Sequence, residues 1–335
     1  MAQFWTFTPR RREERAVDFL TFIENTCMKI LVATEKPFSR EAAQSIRATA
    51  AEAGYGIEFL EKYGDRSQLL AAAADADALV VRSDKVTADV FDAAPRLKIV
   101  VRAGAGYDNV DLAAATAHGV AVMNTPGQNA NGVAELAIAF MIYISRRRFT
   151  PGTGSELSGK TLGVHAYGNV GRRVALKAKA LGMEVAAYDP FVTDPAVFEA
   201  DGVRQAASAE ELYAQSHFVS LHIPATERTR RSIGYDLLMS MPAGAALVNT
   251  ARKEVIDEAG LARALAERDD LKYITDIAAD MQAELDERFG VRVFATPKKM
   301  GAETAEANLN AGVAAVRQIV GFFENGDTRF QVNGR

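Results

Sequence analysis

Short β-branched runs alternate with longer alanine-rich helical patterns between Lys29 and about Val122. Three runs, KILVAT, ALVVRS and KIVVRAG, are strongly apolar, and segments such as REAAQSIRATAAEAG between them carry amphipathic helical spacing. Strands separated by helices of about 10–15 residues indicate parallel βαβ units. The pattern therefore predicts a first α/β domain built on a parallel sheet.

A second series of the same kind begins at Lys160, after a long helical segment over 132–148 and a linker, TPGTGSELSGK. Its apolar runs are TLGVHAY, MEVAAYD, FVSLHI, AALVNT, YITDI and RVFAT. Six strands with helices after most of them are the content of one doubly wound domain. The chain then continues in an amphipathic helical pattern, TAEANLNAGVAAVRQIVGFFENG. The fold class predicted is α/β, with two doubly wound parallel sheets.

Length, charge and composition limit the number of domains and the classes of binding partner. The length of 335 residues favours two domains. The net charge of −4 argues against nucleic-acid or anionic-membrane partners. Cys27 is the single cysteine, so no intrachain disulfide forms and a reducing cytoplasm fits. No apolar run reaches the roughly 18–20 residues of a membrane span. Residues 1–27 contain RRREER but no apolar signal-like segment, and we expect a disordered extension before compact folding begins at Met28.

A glycine turn follows the strand TLGVHAY and precedes a helix. AYGNVG is G-x-G-x-x-G with Ala166 in the first position, and the next strand ends at Asp189, 21 residues beyond Gly168. Gly168 lets the backbone approach a pyrophosphate, and Gly171 lets helix and strand pack closely. Asp189 would accept hydrogen bonds from the ribose and repel a 2′-phosphate, which predicts NAD over NADP. The alternative is a turn without a ligand.

Charged residues follow three more strands of this series. NTARKEVID contains Arg252, YITDIAAD contains Asp276 and Asp280, and the segment after RVFA reads TPKKMG. Because ligands of doubly wound sheets bind outside the carboxyl ends of the strands, these residues are predicted to meet at one crevice. Each is an ordinary ion-pair former when alone, but together they favour a site.

In the first series, VRAGAGYDNVD also follows a strand. Gly104, Ala105 and Gly106 would expose backbone N–H groups in a nest suited to a carboxylate. Cationic side chains are expected nearby, namely Arg82, Lys85 and Arg102. The alternative is that these glycines serve a tight turn only.

These segments resemble the D-2-hydroxyacid dehydrogenase family. The likeness is carried by VRAGAGYDNVDL, NTPGQNANGVAELA, HAYGNVGR, LHIPATERT, LVNTARKEVIDE and FATPKKMGAETAEAN, which together span nearly everything after Met28. It is greatest to short D-3-phosphoglycerate dehydrogenases that lack regulatory domains. The resemblance implies two Rossmann-like domains with a cleft between them: a substrate domain of residues 28–126 plus 309–335, and an NAD-binding domain of residues 127–308. It also implies a homodimer formed through the long helix.

The resemblance also implies residue roles, which are given by position. Arg252 matches the arginine that binds the substrate carboxylate and carbonyl, and Asp276 the acid that contacts the nicotinamide carboxamide. The implied cofactor-binding residues are Tyr167, Gly168, Asn169, Val170, Gly171, Asp189, His222, Ile223, Pro224, Thr229, Thr250, Ala251, Arg252 and Asp276. The implied substrate-binding residues are Arg82, Ser83, Gly104, Ala105, Gly106 and Asn124.

Two positions depart from the family pattern. The proton-transferring histidine of the family's Thr-Pro-His motif is Lys298 here, and the glutamate that orients it falls at Met281, 29 residues after Arg252. Lysine becomes a useful base near neutral pH when burial and neighbouring positive charge lower its pKa. We therefore hypothesise that Lys298 is the general acid/base, assisted by Arg252, with Asp280 as a substitute for the missing carboxylate.

The predicted function is NAD-dependent oxidation of D-3-phosphoglycerate to 3-phosphohydroxypyruvate. One alternative is a glyoxylate/hydroxypyruvate reductase or another D-2-hydroxyacid dehydrogenase. Another, favoured by the lost histidine–glutamate pair, is a catalytically idle NAD-binding scaffold. His222 is a rival base, but it lies in the HxPxT segment, whose family role is contact with the cofactor. No metal-ligand spacing is present in the sequence, and no metal is predicted.

Overall fold

The structure, a computed structural model, describes residues 28–334. The extension predicted for residues 1–27 lies outside them. Of the described residues, those up to Thr125 and those from Leu309 onward form one compact unit, and Pro126–Asn308 forms a second. We refer to them as the five-stranded unit and the seven-stranded unit, after their sheets.

The five-stranded unit is a parallel sheet in the order β2-β1-β3-β4-β5. Its strands are β1 (Lys29–Thr34), β2 (Gly56–Glu61), β3 (Ala78–Val81), β4 (Ile99–Arg102) and β5 (Ala121–Asn124). The helices between them are α1 (Arg40–Glu52), α2 (Arg66–Ala73), α3 (Ala88–Ala93) and α4 (Leu112–Ala117). Side-chain caps start three of these helices, with Ser39, Asp65 and Asp111 accepting from backbone N–H groups one turn ahead.

Both faces of this sheet are covered, which explains why β1, β3 and β4 are continuous apolar runs. One face packs under α2, α3 and α4, and the other under α1 and the later segment from Leu309 onward, where Ala315, Val316 and Ile319 are fully buried. That segment also closes the sheet edge. Val332 N–H donates to the carbonyl of Val122, and the side chain of Asn333 bonds the backbone of the same strand.

The seven-stranded unit is also wholly parallel, in the order β12-β11-β10-β9-β6-β7-β8. Its strands are β6 (Thr161–His165), β7 (Glu184–Tyr188), β8 (Arg204–Gln205), β9 (Phe218–Leu221), β10 (Ala246–Asn249), β11 (Lys272–Thr275) and β12 (Val293–Ala295). Six of these match the predicted runs. The seventh, β8, is a two-residue edge strand with both side chains exposed, too short to give a hydrophobic pattern.

Helices cover both faces of this second sheet. They are α5 (Ala130–Ser145), α6 (Asn169–Ala180), α7 (Ala196–Ala200), α8 (Ala209–Ala214), α9 (Tyr235–Ser240), α10 (Glu258–Glu267) and α11 (Gln282–Phe289). The predicted helix over 132–148 is shorter at its end, because three successive residues, Arg147–Phe149, adopt left-handed backbone with φ of 54°, 57° and 59°. The last helix, α12 (Ala305–Asn325), begins among residues of this unit and continues into those of the five-stranded unit.

The strand order places the functional segments at one edge. Strand β6 lies between β7 and β9, so the chain changes direction across the sheet there, and such a switch point is where doubly wound sheets bind ligands. Five segments follow the carboxyl ends of β6, β9, β10, β11 and β12. They are residues 166–171, 222–229, 250–252, 276–281 and 296–301.

Candidate active site

The glycine turn after β6 is tightly built. Ala166 has φ of 79°, a left-handed conformation that costs an L-residue about 1–2 kcal/mol. A β-carbon added at Gly171 would overlap the carbonyl oxygen of Ala166 and lie 2.9 Å from Val164, whereas one added at Gly168 would meet nothing within 4 Å. Gly171 is therefore required by packing, and Gly168 faces open space.

That open space is bordered by the first turn of α6. The N–H groups of Gly168, Asn169 and Val170 donate to no acceptor among residues 28–334, since the first hydrogen bond of the helix runs from Arg172 to Gly168. Unsatisfied N–H groups and the positive end of the helix dipole suit an anion. This is the turn at which the sequence predicts a pyrophosphate cradle.

Asp189 ends β7 beside this turn. Its carboxylate accepts from Tyr167 N–H at 2.8 Å and from Phe191 N–H at 2.9 Å, which fixes it at the edge of the sheet. Tyr167 contributes only its backbone here, because its side chain is buried against Phe198 and donates to Asp201 at 2.8 Å. Phe191 was not among the predicted site residues. It is 85% exposed, and the only feature of the sequence that marks it is an aromatic residue two positions after Asp189.

The HxPxT segment is held by hydrogen bonds between its own residues. Thr229 accepts from Thr226 N–H at 2.8 Å and donates to the carbonyl of Pro224, next to the buried Ile223. His222 contacts the hydroxyl of Ser220 at 3.0 Å. Burial, and to a lesser degree the nearby His165, lower the pKa of His222 to about 3. A histidine with so low a pKa is a weak proton acceptor at physiological pH, which does not favour it as the rival base.

Asn249 shapes the loop that carries Arg252. Its side chain accepts from Ala251 N–H and donates to the carbonyl of Arg252, both at 3.0 Å. The carbonyl of Ala251 in turn accepts from Arg252 Nη1 at 2.9 Å and from Lys299 Nζ at 3.4 Å. The two cationic groups therefore share one acceptor. The buried hydroxyl of Thr250 has no partner within the described part of the chain.

Asp276 is fully buried at the end of β11. Its Oδ2 accepts from Met300 N–H at 3.2 Å and from Gly301 N–H at 2.9 Å. Its Oδ1 has no hydrogen-bond partner among residues 28–334. A buried carboxylate oxygen without a donor is costly and indicates a ligand donor.

The structure assigns the predicted lysine and acid different neighbours from those expected. The side chain of Lys298 is exposed, and its carbonyl accepts from Thr296 Oγ1 at 2.7 Å. The lysine that reaches the Arg252 loop is Lys299. Asp280 pairs with Lys253 and is 80% exposed, and none of its described contacts involves Lys298. A substitute carboxylate one position from the family's glutamate is thus turned to another partner.

The loop at Met281, the position of the missing glutamate, is held by hydrogen bonds from its backbone. Asp280 N–H and Met281 N–H both donate at 3.0 Å to the carboxylate of Glu258, at the start of α10. Glu258 therefore fixes the loop backbone instead of a catalytic side chain. Sequence reasoning did not single it out, because its role depends on a loop more than twenty residues away.

In the five-stranded unit, the predicted nest follows β4. Gly104 has φ of 148°, and a β-carbon there would overlap the guanidinium of Arg102, which lies over it. Asn124 Nδ2 donates to the carbonyl of Ala105 at 2.5 Å. The N–H groups of Ala105 and Gly106 donate to no acceptor in the described chain. The turn thus combines bare N–H groups with a guanidinium, as a carboxylate site requires.

A cavity of about 450 Å³ lies at the carboxyl ends of β1, β2 and β3 in the same unit. Arg82 Nη1 donates to the carbonyl of Lys36 at 3.1 Å, and its guanidinium stacks over Phe38. Buried Asp84 accepts from Tyr63 at 2.7 Å, and burial together with this carboxylate raises the pKa of Tyr63. The charged and polar side chains lining the cavity include Lys36, Arg66, Arg82, Ser83, Lys85, Glu35 and Asp65.

The described residues provide neither a metal site nor a membrane-spanning helix. Over residues 28–334, no group of three or more metal-binding side chains is positioned to hold an ion. None of the described helices has the length and apolar character needed to cross a membrane.

Known proteins identify the family. A family model described as "D-isomer specific 2-hydroxyacid dehydrogenase, NAD binding domain" matches residues 140–298. The hydroxypyruvate reductase of Thermotoga maritima is 37% identical over 286 residues, covering 78% of this chain and 90% of that relative. The chain belongs to the D-isomer specific 2-hydroxyacid dehydrogenase family. It is therefore an NAD-dependent D-2-hydroxyacid dehydrogenase with two Rossmann-like parallel-sheet units.

Other members of the family are similar to different extents. The NAD⁺-bound 3-phosphoglycerate dehydrogenase of Entamoeba histolytica superposes with a TM-score of 0.82 at 47% identity, covering 92% of this chain and 99% of that one. A D-3-phosphoglycerate dehydrogenase of Mycobacterium tuberculosis is 38% identical over 76% of this chain but only 51% of its own length. The chain thus spans about half the length of that longer relative.

The residues of the seven-stranded unit fit NAD. The bare N–H groups at the start of α6 suit a pyrophosphate, and the carboxylate of Asp189, fixed by Tyr167 N–H beside this turn, suits ribose hydroxyls. The unpartnered Asp276 Oδ1 and Thr250 hydroxyl match hydrogen-bonding groups of a ligand at the same sheet edge. When bound, NAD supplies the hydride acceptor for oxidation of a 2-hydroxy acid.

Proposed function

We propose that this dehydrogenase oxidises D-3-phosphoglycerate to 3-phosphohydroxypyruvate, the first step of L-serine biosynthesis. The observation that carries the proposal is the loop after β10, where Arg252 and Lys299 share the carbonyl of Ala251. A guanidinium binds a substrate carboxylate through two parallel hydrogen bonds, and a lysine on the neighbouring loop, as the neutral amine, can accept the hydroxyl proton. The similarity to the Entamoeba 3-phosphoglycerate dehydrogenase supports this choice of substrate.

Residues of the five-stranded unit are also proposed to bind substrate. Gly104–Gly106 offer N–H groups for a carboxylate, together with Asn124 at the next strand end. The cavity beside Arg82 and Ser83 carries four cationic side chains, which favours a phosphorylated substrate. Glu35, Asp65 and Asp84 line the same cavity and offset part of this positive charge.

Steady-state kinetics test the substrate. We expect 3-phosphoglycerate to give a kcat/KM at least tenfold above those of D-glycerate, D-lactate and glyoxylate, which corresponds to about 1.4 kcal/mol of transition-state binding. Arg82→Met should remove most of this preference while leaving the NADH Kd unchanged. A preference for unphosphorylated substrates would instead support the reductase described below.

The proton carrier is proposed to be Lys298, from its place in the motif, with Lys299 as the competitor that contacts the Arg252 loop. Lys298→Met and Lys299→Met form a matched pair, since the side chains are adjacent and both exposed. Loss of the general acid/base should lower kcat by about 10²–10⁴-fold in Lys298→Met and much less in Lys299→Met, and the reverse order would assign the proton transfer to Lys299. Asp280→Asn is expected to change kcat little, because that carboxylate pairs with Lys253.

A second candidate is a hydroxypyruvate or glyoxylate reductase. It is favoured by the similarity to the Thermotoga hydroxypyruvate reductase, of which the chain covers 90%. A third candidate, an idle NAD-binding scaffold, is favoured by the loss of the histidine–glutamate pair. Tight NADH binding without turnover of any D-2-hydroxy acid would support the scaffold.

We also propose a homodimer and a cytoplasmic location. The helix α5 ends beside exposed apolar side chains, with Ile142 38% and Phe149 71% exposed, and such a surface suits a second copy. Light scattering of the purified protein tests the dimer, and Phe149→Asp should shift it toward monomer. The single cysteine fits a reducing compartment.

A further inference from the structure

Asp276 has two oxygens in different surroundings. Oδ2 accepts the N–H groups of Met300 and Gly301, whereas Oδ1 is buried without a partner among the described residues. The same carboxylate thus holds one loop and leaves one oxygen for a ligand. The held loop is the segment that carries Lys298 and Lys299.

This loop is clamped from its other side as well. A β-carbon on Gly301 would lie 3.2 Å from both Asp276 Oδ2 and Val133 Cγ2, closer than most real contacts. A β-carbon on Gly132, in the first turn of α5, would lie 3.0 Å from the carbonyl of Gly301. The backbone at residue 301 therefore fits tightly between α5 and the carboxylate, and the position of the loop follows the position of Asp276.

We propose that Asp276 is a positioning residue for the lysine loop, so that a donor bound at Oδ1 and the placement of the two lysines are coupled. This inference rests on the proposed function, because the donor is the cofactor's carboxamide. A third hydrogen bond to a buried carboxylate fixes its rotamer. Fixing the rotamer fixes the two N–H groups on Oδ2, and with them the approach of Lys299 to the carbonyl of Ala251.

The first test separates the two oxygens. Gly301→Ala crowds Oδ2 and Val133 but leaves Oδ1 in place, so kcat should fall about 10- to 100-fold, as for a small misplacement of a catalytic group, with KM and the NADH Kd changed less than about twofold. Asp276→Asn keeps the volume and should weaken NADH binding as well as lower kcat. Gly321→Ala, in α12, where a β-carbon meets only ordinary contacts, is the control and should match wild type.

The second test does not need turnover. Hydrogen exchange at the amides of Met300 and Gly301 is measured in the full chain with and without NADH. We expect NADH to slow exchange in wild type, and we expect faster exchange in Asp276→Asn with no slowing by NADH at concentrations that saturate this variant. Because no substrate is present, this result stands even where 3-phosphoglycerate proves not to be the substrate.

Two outcomes would overturn the proposal. One is exchange at residues 300 and 301 that Asp276→Asn leaves unchanged. The other is a Gly301→Ala enzyme with full kcat on the best substrate of the wild type. A Gly301→Ala chain that fails to fold leaves the exchange comparison between wild type and Asp276→Asn to decide.

Discussion

Two glycine turns, each after a parallel strand, are built for anions in different ways. The turn after β6 ends in a helix, and its N–H groups point out from the first turn of α6. The turn after β4 has no helix behind it and instead lies under the guanidinium of Arg102. The first turn uses backbone dipoles alone, whereas the second combines bare N–H groups with a full charge.

The glycines in these turns are needed for different reasons. At Gly171 the obstacle to a side chain is backbone, the carbonyl of Ala166, which cannot move without breaking the turn. At Gly104 the obstacle is the end of a flexible side chain, and the remaining constraint is the backbone angle. Rigid packing therefore protects the cofactor turn, and a movable cation shapes the substrate turn.

The largest expected effect is on the cofactor turn. Gly171→Ala should lower the free energy of unfolding by on the order of 3 kcal/mol, because the β-carbon overlaps backbone. NADH binding, followed by fluorescence titration, should be lost with it. Gly168→Ala is the matched control: its β-carbon meets nothing, so stability should hold while NADH binding weakens about tenfold. Equal stability of the two variants would contradict the distinction.

Acid should also act unequally on the two units. Burial lowers the pKa of His165, in β6, to about 4, whereas the pKa of a histidine in the unfolded chain is near 6.5. The unfolded chain therefore takes up the proton first, and the free energy of unfolding falls by up to about 3 kcal/mol as pH falls from 6.5 toward 4. Above pH 6.5 this loss is absent. In the five-stranded unit, the Ala114 carbonyl and Asp92 raise the pKa of His118, so its contribution is present in acid and lost as pH rises.

We therefore expect the protection factors of amides in β6, corrected for the intrinsic exchange rate at each pH, to fall before those in β4 as pH falls from 7 to 4.5. His165→Asn should reduce the pH dependence of stability over this range. Identical acid transitions in the two strands would remove this part of the contrast between the units.

The substrate turn should respond more mildly. Gly104→Ala forces an L-residue to φ near 148° and displaces Arg102, at a cost of about 1–3 kcal/mol in stability. KM for the substrate should rise about tenfold with the NADH Kd unchanged, since only the carboxylate site is disturbed. Gly119→Ala is the control for backbone strain, because its φ is 67° and its surroundings are open. It should lose stability without a change in KM.

The smallest expected effect is a gain in stability. Ala166→Gly removes a left-handed L-residue, which costs about 1–2 kcal/mol, but adds unfolded-chain freedom worth about 0.4–1 kcal/mol. We expect the variant to be more stable by about 0.5 kcal/mol, with unchanged NADH binding. Chemical denaturation measures this difference, and a less stable variant would show that Ala166 is held by contacts beyond its backbone.

Much of the fold follows from the apolar runs. Buried parallel strands are continuous β-branched segments, so six strands of the seven-stranded sheet were predicted, and β8 was missed because two exposed residues give no pattern. The glycine turn and Asp189 were also predictable, since their spacing is fixed by backbone geometry. Local rules suffice where the chemistry is done by backbone or by a strand end.

Side-chain directions in the irregular loops were less predictable. Whether Lys298 or Lys299 approaches Arg252 depends on the path of a loop held by Asp276, more than twenty residues upstream. The neighbours of Asp280 were unpredictable for the same reason, because its carboxylate forms an ion pair with Lys253. Neither contact has a periodicity, and only the tertiary structure reveals them.

The helix α12 has a consequence for how the protein is made. The five-stranded unit needs the residues from Leu309 onward, whose buried side chains and Asn333 complete its sheet, whereas Pro126–Asn308 is continuous. On the ribosome, at about 5–20 residues per second, the unit encoded in the middle is complete first. The N-terminal strands must wait, with one apolar face only partly covered by α1, until translation delivers the helix that completes the cover. Synthesis order and folding order are therefore reversed for the two halves of the chain.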